Sequence, residues 1–352
     1  MATLGALGGW PAVLGTVTAG GDLSTEAAEA TMAEILDGNA SPSQIAGFII
    51  ALRMKGETVD ELTGLVRAML GAAERVELAD PDAAVDIVGT GGDKANTINV
   101  STISSFVVAG AGATVCKHGN RAASSACGSA DLLEALGVVI DLGPSGVARC
   151  VEEAGMGFCF APRFHSAMRH AGPTRKELGV PTVFNFLGPM ANPAQVKRLV
   201  IGVADVRLAD RMAQVLAANG AARAMVVHGD DGLDELTTTT TSTVLELRDG
   251  AVTTSTVDPT DLGLSLVGAE ALRGGDASHN AALTRAVLAG TEGPHRDVVV
   301  LNAGAALVAA GLADTLPDGV DLARKSIDGG AAAGVVERLA EVSHAARKSE
   351  QG

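Results

Sequence analysis

The segment Gly89-Thr90-Gly91-Gly92-Asp93 places three glycines directly after an apolar run ending at Val88. Glycine lets backbone N–H groups close on a phosphate, and a helix beginning beyond the loop adds positive potential at its N-terminus. Lys94 stands where a dinucleotide-binding fingerprint needs its third glycine, and the segment is not a Walker A loop either. A tight strand-to-helix turn would use the same residues. Asn99-Val100-Ser101-Thr102 follows, a helix-cap sequence ahead of the stretch 103–111, whose hydroxyls also suit a phosphate or a metal-bound water. Next comes Lys117-His118-Gly119-Asn120-Arg121, which sets two cations, an imidazole and an amide around one glycine after the strand-like Thr114-Val115-Cys116. Small residues follow it, Ala122-Ala123-Ser124-Ser125, and Ser129 reads as the cap of a helix over 130–136 that stops at Gly137. Together these segments predict a ligand with two phosphate ends.

Asp234-Glu235 lies in a polar loop after the apolar run ending at Val227. Adjacent carboxylates in such a loop are commonly solvated surface. Where phosphates are expected, they also match the one or two carboxylates that hold Mg²⁺ together with the phosphates. Arg175, in Gly172-Pro173-Thr174-Arg175-Lys176-Glu177-Leu178-Gly179, reads as an ordinary basic helix residue unless it is buried, in which case its fork suits a carboxylate. His165 and His170 lack the HExxH spacing of a zinc site.

Elements must bring these residues together. The 352 residues leave room for a large domain plus a smaller one, with an ordinary globular composition of 47% hydrophobic and 19% charged residues. A net charge of −15 with no basic stripe, and only 2% aromatics, argue against DNA or RNA as the main partner. Cys116, Cys127, Cys150 and Cys159 form no CxxC pair and read as reduced core thiols of a cytosolic protein. The stretch 1–21 has no basic n-region, since the first Lys or Arg is Arg53, and Gly and Pro interrupt it, so it does not read as a signal peptide.

Capping boxes at Ser41-Pro42-Ser43-Gln44 and Thr58-Val59-Asp60-Glu61, and a helix from about Ser24 to Asp37, predict three short helices at the start of the chain. Beyond Asp80-Pro81-Asp82, short β-branched runs alternate with Ala/Leu-rich stretches: 85–88, 114–116, 158–160, 199–201, 225–227 and 298–301. That alternation predicts an α/β domain with a largely parallel sheet and a ligand beyond the carboxyl ends of its strands. Thr237 to Thr241 and the Asp249-Gly250 turn suggest a hairpin, and the tail from Lys348 is expected to fray.

In order and spacing these motifs, with Gly128-Ser129-Ala130-Asp131 and Phe184-Asn185-Phe186-Leu187-Gly188-Pro189, closely resemble those of the anthranilate phosphoribosyltransferase family. The resemblance runs from the N-terminal helices to about residue 340. It implies a small N-terminal helical domain, 1–80, completed by helices around 163–182. The larger α/β domain, 81–345, would have the mostly parallel sheet of glycosyltransferase family 3, related to nucleoside phosphorylases. It further implies a cytoplasmic homodimer joined through the helical domains, and transfer of phosphoribose from 5-phospho-α-D-ribose 1-diphosphate to anthranilate in tryptophan biosynthesis. By position, Gly89, Gly92, Asp93, Thr97, Asn99, Val100, Ser101, Thr102, Lys117, His118, Gly119, Asn120, Arg121, Ala122, Ala123, Ser124, Ser125 and Ser129 would bind the sugar diphosphate. Ser101, Asp234 and Glu235 would serve Mg²⁺, while Gly89, Asn120, Arg175 and His118 would contact anthranilate. Cys127 and Ile98 depart from the family's commoner Ser and Phe, and Val180-Pro181-Thr182 departs from its usual triplet.

Such a reaction would pass through an oxocarbenium-like state, with catalysis resting on electrostatics and positioning. An aromatic amine is already neutral at pH 7, which agrees with a sequence showing no acid–base constellation. A pyrimidine nucleoside phosphorylase on the same fold would carry a Lys-Met-Ser-Gly-Arg-like second segment in place of residues 117–121. A non-catalytic, nucleic-acid-binding relative would be basic and would have lost Arg175 or Asp234-Glu235.

Overall fold

The computed structural model describes residues 3–122 and 126–352. Helices α1 (Gly9–Thr18), α2 (Thr25–Leu36), α3 (Pro42–Lys55) and α4 (Val59–Ala72) form the N-terminal helical part. Both expected capping boxes close, at Ser41/Gln44 and at Thr58/Glu61. Helix α1 was not expected, because its Gly and Pro content speaks against a helix. It forms by burying Val13 and Val17 and by setting Trp10 edge-on to Phe48 at 6.2 Å.

The chain continues through β1 (Val85–Gly89), α5 (Val100–Gly110), β2 (Val115–Gly119), α6 (Ser129–Ala135), α7 (Pro144–Ala154) and β3 (Met156–Phe160). A connection then carries α8 (Ala161–Phe164), α9 (Gly172–Leu178) and α10 (Phe184–Leu187). It packs back on the helical part, α9 on α3 and α10 on α4. After it come β4 (Arg198–Gly202), α11 (Ala209–Ala218), β5 (Arg223–Gly229), β6 (Ser242–Arg248), β7 (Ala251–Val257), α12 (Ala277–Leu288), α13 (Pro294–Ala310), α14 (Leu316–Asp328) and α15 (Ala331–Gln351).

The sheet order is β3-β2-β1-β4-β5-β6-β7. From β3 to β5 all neighbours are parallel, while β6 and β7 add an antiparallel hairpin. The chain moves outward from β1 to β3 and then returns to the other side of β1. The reversal between β1 and β4 therefore opens a crevice at the carboxyl ends of the strands.

Several expectations need correction. The run 298–301 lies inside α13, not in a strand. A short apolar β-branched run fits a buried helix equally well, and α13 is buried along most of its 17 residues. The hairpin begins at Ser242, so the threonine run precedes it as a loop. Lys117, His118 and Gly119 belong to β2 itself, and Gly128 rather than Ser129 stands at the cap of α6. The tail does not fray at Lys348. Helix α15 runs to Gln351, and the Glu350 carboxylate accepts from Gly143 N (2.9 Å) and Gly146 N (3.1 Å) at the start of α7.

Candidate active site

The loops leaving β1, β2, β4 and β5 share one rim of the sheet. Beyond β1 the chain turns through Gly91 and Gly92 at φ +69° and +89°, with Lys94 and Asn96 also left-handed at φ +61° and +52°. Residues 272–274 hold this loop from outside. Thr97 bridges Arg273, Ile98 N–H donates to Leu272 O at 3.1 Å, and Gly274 N–H donates to Asn96 O at 2.9 Å. Asn99 does not cap α5 with its side chain. Its amide instead donates to Cys127 O (2.9 Å) and accepts from Asn280 Nδ2 (2.9 Å), tying the glycine loop to the segment before α6 and to helix α12. Thr102 is buried, and its hydroxyl has no hydrogen-bond partner among the described residues.

Asp234 and Glu235 are buried, at 9% and 8% exposure, where a solvated loop would leave them in water. Asp234 Oδ2 accepts from Gly91 N at 2.6 Å, and Glu235 Oε1 accepts from Ser101 N at 3.2 Å. Glycine at 89 and 202 is what permits this approach. A Cβ at either position would collide with Asp234, with its carboxylate at Gly89 and its main chain at Gly202. Asn302 on α13 grips the next peptide from both sides, donating to Leu236 O (2.8 Å) and accepting from Leu236 N (2.9 Å). The threonine run fastens the same loop. Thr237 Oγ1 donates to Asp231 Oδ2 at 2.9 Å, and Thr241 Oγ1 donates to Asp230 Oδ2 at 2.5 Å.

Burial, then the Asp93 carboxylate beside it, pushes Asp234 up to about 7. Burial, then Asp234, pushes Glu235 up to about 8, against the pull of Lys117. Lys117 is 1% exposed, and its ammonium donates to Ile87 O and to Ser101 Oγ (3.3 Å). Burial lowers its pKa, while Asp86, Glu235 and Asp234 act in the opposite direction. One buried ammonium thus stands among three buried carboxylates, an arrangement short of positive charge.

His118 Nδ1 lies 3.2 Å from Gly188 O, an acceptor only, so Nδ1 carries the proton. Its buried Nε2 has no partner among the described residues. The ring lies 5.1 Å from that of His165, whose Nε2 donates to Ala191 O at 2.9 Å. Burial pushes His118 down to about 3 and lowers His165 as well. Both rings therefore protonate more readily in the unfolded chain, so stability is lost as pH falls below about 6.5 and continues to fall toward about 3. The His118 share is about 2 kcal/mol at pH 5. Urea unfolding between pH 7 and pH 5 should show a shallower loss of stability for His118→Gln than for the wild type. Parallel slopes would refute the assignment.

Arg175 lies half-buried on α9, its guanidinium 5.0 Å from the centre of the Phe184 ring. It makes no ion pair among the described residues, and burial alone lowers its pKa. Phe184 opens α10, and Gly188, the acceptor for His118, directly follows that helix, so Arg175 and His118 are linked through α10. Arg121 is differently placed. Its exposed guanidinium pairs with Asp131 (2.9 Å) and Glu134 (2.5 Å) on α6. Asn120 Oδ1 accepts from Arg121 N at 2.7 Å, and Ala122 N–H donates to Asp131 Oδ2 at 3.1 Å. Ser129 opens α6, while Ala123, Ser124 and Ser125 lie outside the described residues.

Sequence reasoning missed Asp86, Asn192, Asn280 and Asn302. Only Asp86 gave a signal, as a carboxylate inside an apolar strand.

A mostly parallel sheet with a helical part sets a glycine loop over buried carboxylates and an adjacent buried lysine, an architecture of α/β type. The profile of the glycosyl transferase family, a/b domain, matches residues 81–333, and that of its helical bundle domain matches 11–73. The chain is 56% identical over 340 residues to an anthranilate phosphoribosyltransferase of Rhodococcus jostii, covering 95% of this chain and 93% of that one. With the enzyme of that name from Salinispora arenicola it shares 53% over 345 residues, covering 96% and 98%. The crystal structure of the Thermus thermophilus anthranilate phosphoribosyltransferase superposes with a TM-score of 0.90 at 43% identity, covering 94% of this chain and 99% of that one. The Saccharomyces cerevisiae enzyme in complex with PRPP and Mg gives 0.86 at 27% identity, covering 96% and 98%. The chain belongs to the anthranilate phosphoribosyltransferase family.

Proposed function

We propose that this chain transfers the phosphoribosyl group of 5-phospho-α-D-ribose 1-diphosphate to the amine of anthranilate, releasing diphosphate, as a step of tryptophan biosynthesis. The observation that carries the reading is the glycine loop laid over buried Asp234, Glu235 and Lys117, in a chain that matches enzymes of this name along nearly its whole length.

Gly89, Gly92, Asp93, Thr97, Asn99 to Thr102, Lys117 to Ala122 and Ser129 would form the sugar-diphosphate site. Lys117 offers the buried positive charge. The start of α5 offers the spare hydroxyl of Thr102, while its first N–H groups are engaged by Ile98 O, Glu235 and Asn99 O. Arg121, its guanidinium held by Asp131 and Glu134 and its N–H by Asn120 Oδ1, would shape the loop around the sugar diphosphate.

Ser101, Asp234 and Glu235 present hard oxygen donors, and their excess of buried negative charge fits Mg²⁺. Once bound with the substrate, the ion would neutralise the leaving diphosphate. Arg175, half-buried without a carboxylate partner among the described residues, suits the carboxylate of anthranilate, which Asn120, Gly89 and His118 would also contact. Neutral His118 is too weak a base to deprotonate an amine, and an aromatic amine needs no such help.

Packing of α9 on α3 supports a helical domain of residues 1–80 joined by the segment 163–182. A homodimer through that domain and a cytoplasmic location complete the reading. No helix among the described residues is long and apolar enough to cross a membrane. Anthranilate fluorescence should decay on mixing protein, sugar diphosphate and Mg²⁺. Persistent fluorescence alongside phosphorolysis of thymidine would overturn the reading in favour of a nucleoside phosphorylase.

A further inference from the structure

Strands β1 and β2 pair only at Val85 opposite Val115, whereas β1 pairs with β4, and β2 with β3, along all five residues. Val85 N–H donates to Thr114 O at 2.9 Å, so Ile87 on β1 and Cys116 and His118 on β2 are the next residues whose peptide groups face the opposite strand. Those groups are engaged by side chains. Cys116 O accepts from Asn192 Nδ2 at 2.8 Å, and Ile87 O accepts from the Lys117 ammonium. His118 N–H donates to Asp86 Oδ1 at 3.0 Å, and the neighbouring Ile87 N–H also favours the charged form of that carboxylate. Asn192 closes the set by donating to Asp86 Oδ2 at 2.8 Å, while its own oxygen accepts from Ala194 N at 2.8 Å.

We propose that Asp86, braced by Asn192, is a positioning residue that opens the β1–β2 ladder so that the Lys117 ammonium can lie between the strands and reach the phosphate-binding rim. In a closed ladder Ile87 O would accept from His118 N–H, and the strands would leave no space between them for the Lys117 ammonium. The opened ladder lets the ammonium take that carbonyl and Ser101 Oγ together, beside Glu235 and Asp234. A carboxylate suits the wedge. It accepts from several donors at once, and its charge offsets a lysine that is otherwise almost wholly desolvated. Asp86 is itself 0% exposed and Asn192 3%, and the hydrogen bonds of both go to protein groups around the two strands, so they act through Lys117.

This inference rests on the sugar-diphosphate reading, and its probe is inorganic diphosphate with Mg²⁺, whose binding does not require anthranilate. Calorimetric titration of wild type, Asp86→Asn, Lys117→Met and the double variant forms a thermodynamic cycle. Asp86→Asn should weaken diphosphate binding about tenfold in the wild-type background and less than about threefold when Lys117 is already Met. In the turnover assay the anthranilate KM of Asp86→Asn should stay within about threefold of wild type. Equal losses in both backgrounds, or a fall in melting temperature with unchanged binding, would overturn the proposal. Should Asp86→Asn fail to fold, Asn192→Ala takes its place in the cycle, with the same non-additivity expected and additivity contradicting it. Wild type that binds diphosphate yet never consumes anthranilate would fault the functional reading, while the cycle alone judges Asp86.

Discussion

Arg175→Ala is expected to raise the KM for anthranilate on the order of a hundredfold and to leave the KM for the sugar diphosphate within about threefold. Its guanidinium is half-buried against Phe184, with no carboxylate among the described residues to offset its desolvation. The cost of burying that charge is therefore already present in the folded protein, and an anionic substrate would relieve it. A bidentate guanidinium–carboxylate contact contributes about 2–3 kcal/mol, and each 1.4 kcal/mol is about a factor of ten. Because Arg175 makes no ion pair within the described fold, its removal should lower the melting temperature little. Arg175→Lys should recover only part of the loss, since an ammonium cannot present a planar fork. Steady-state kinetics with each substrate varied in turn decide the matter. Equal increases in both KM values would remove Arg175 from the anthranilate site.

Asp234→Asn combined with Glu235→Gln is expected to lower turnover about a thousandfold and to shift the Mg²⁺ dependence to higher concentration. The exchanges keep volume and leave an acceptor for the Gly91 and Ser101 N–H groups, so the loss isolates charge. The same exchanges should preserve or raise the melting temperature of the ligand-free protein. Both carboxylates are buried beside each other and beside Asp93, which strains the folded state, as their rise to about 7 and about 8 shows. Activity and stability would then move in opposite directions, the pattern of a site charged for function. An unchanged Mg²⁺ titration of turnover would refute the role. A large drop in melting temperature would show that the pair serves the fold instead.

Much of this site was legible in the sequence because its chemistry is local. Glycines after Val88, hydroxyls at 101–102 in the first turn of α5 and the segment from Lys117 at the end of β2 gather at strand ends that share one rim, as the alternation of β-branched and helical runs required. What stayed hidden depends on contacts between distant segments. Nothing near Asp234 announces that Gly202 clears space for it, or that Asn302 on α13 holds the following peptide. The burial of Lys117 and the engagement of Arg121 by α6 set apart two cations that the sequence presents alike. The former sits deep in the strand, while the exposed guanidinium of the latter is held on a helix. Residues 298–301 misled for a different reason, since a β-branched apolar run carries no period that separates a strand from a fully buried helix. Helix α1 was missed because tertiary burial of Val13 and Val17 outweighed poor local propensity.

The most direct measurement of the central claim is the ratio of diphosphate released to anthranilate consumed, followed together in one reaction of protein, sugar diphosphate and Mg²⁺. Transfer of phosphoribose to the amine predicts one diphosphate for each anthranilate lost and no diphosphate release without anthranilate. Release of diphosphate that continues in the absence of anthranilate, or anthranilate that stays constant while diphosphate accumulates, would contradict it.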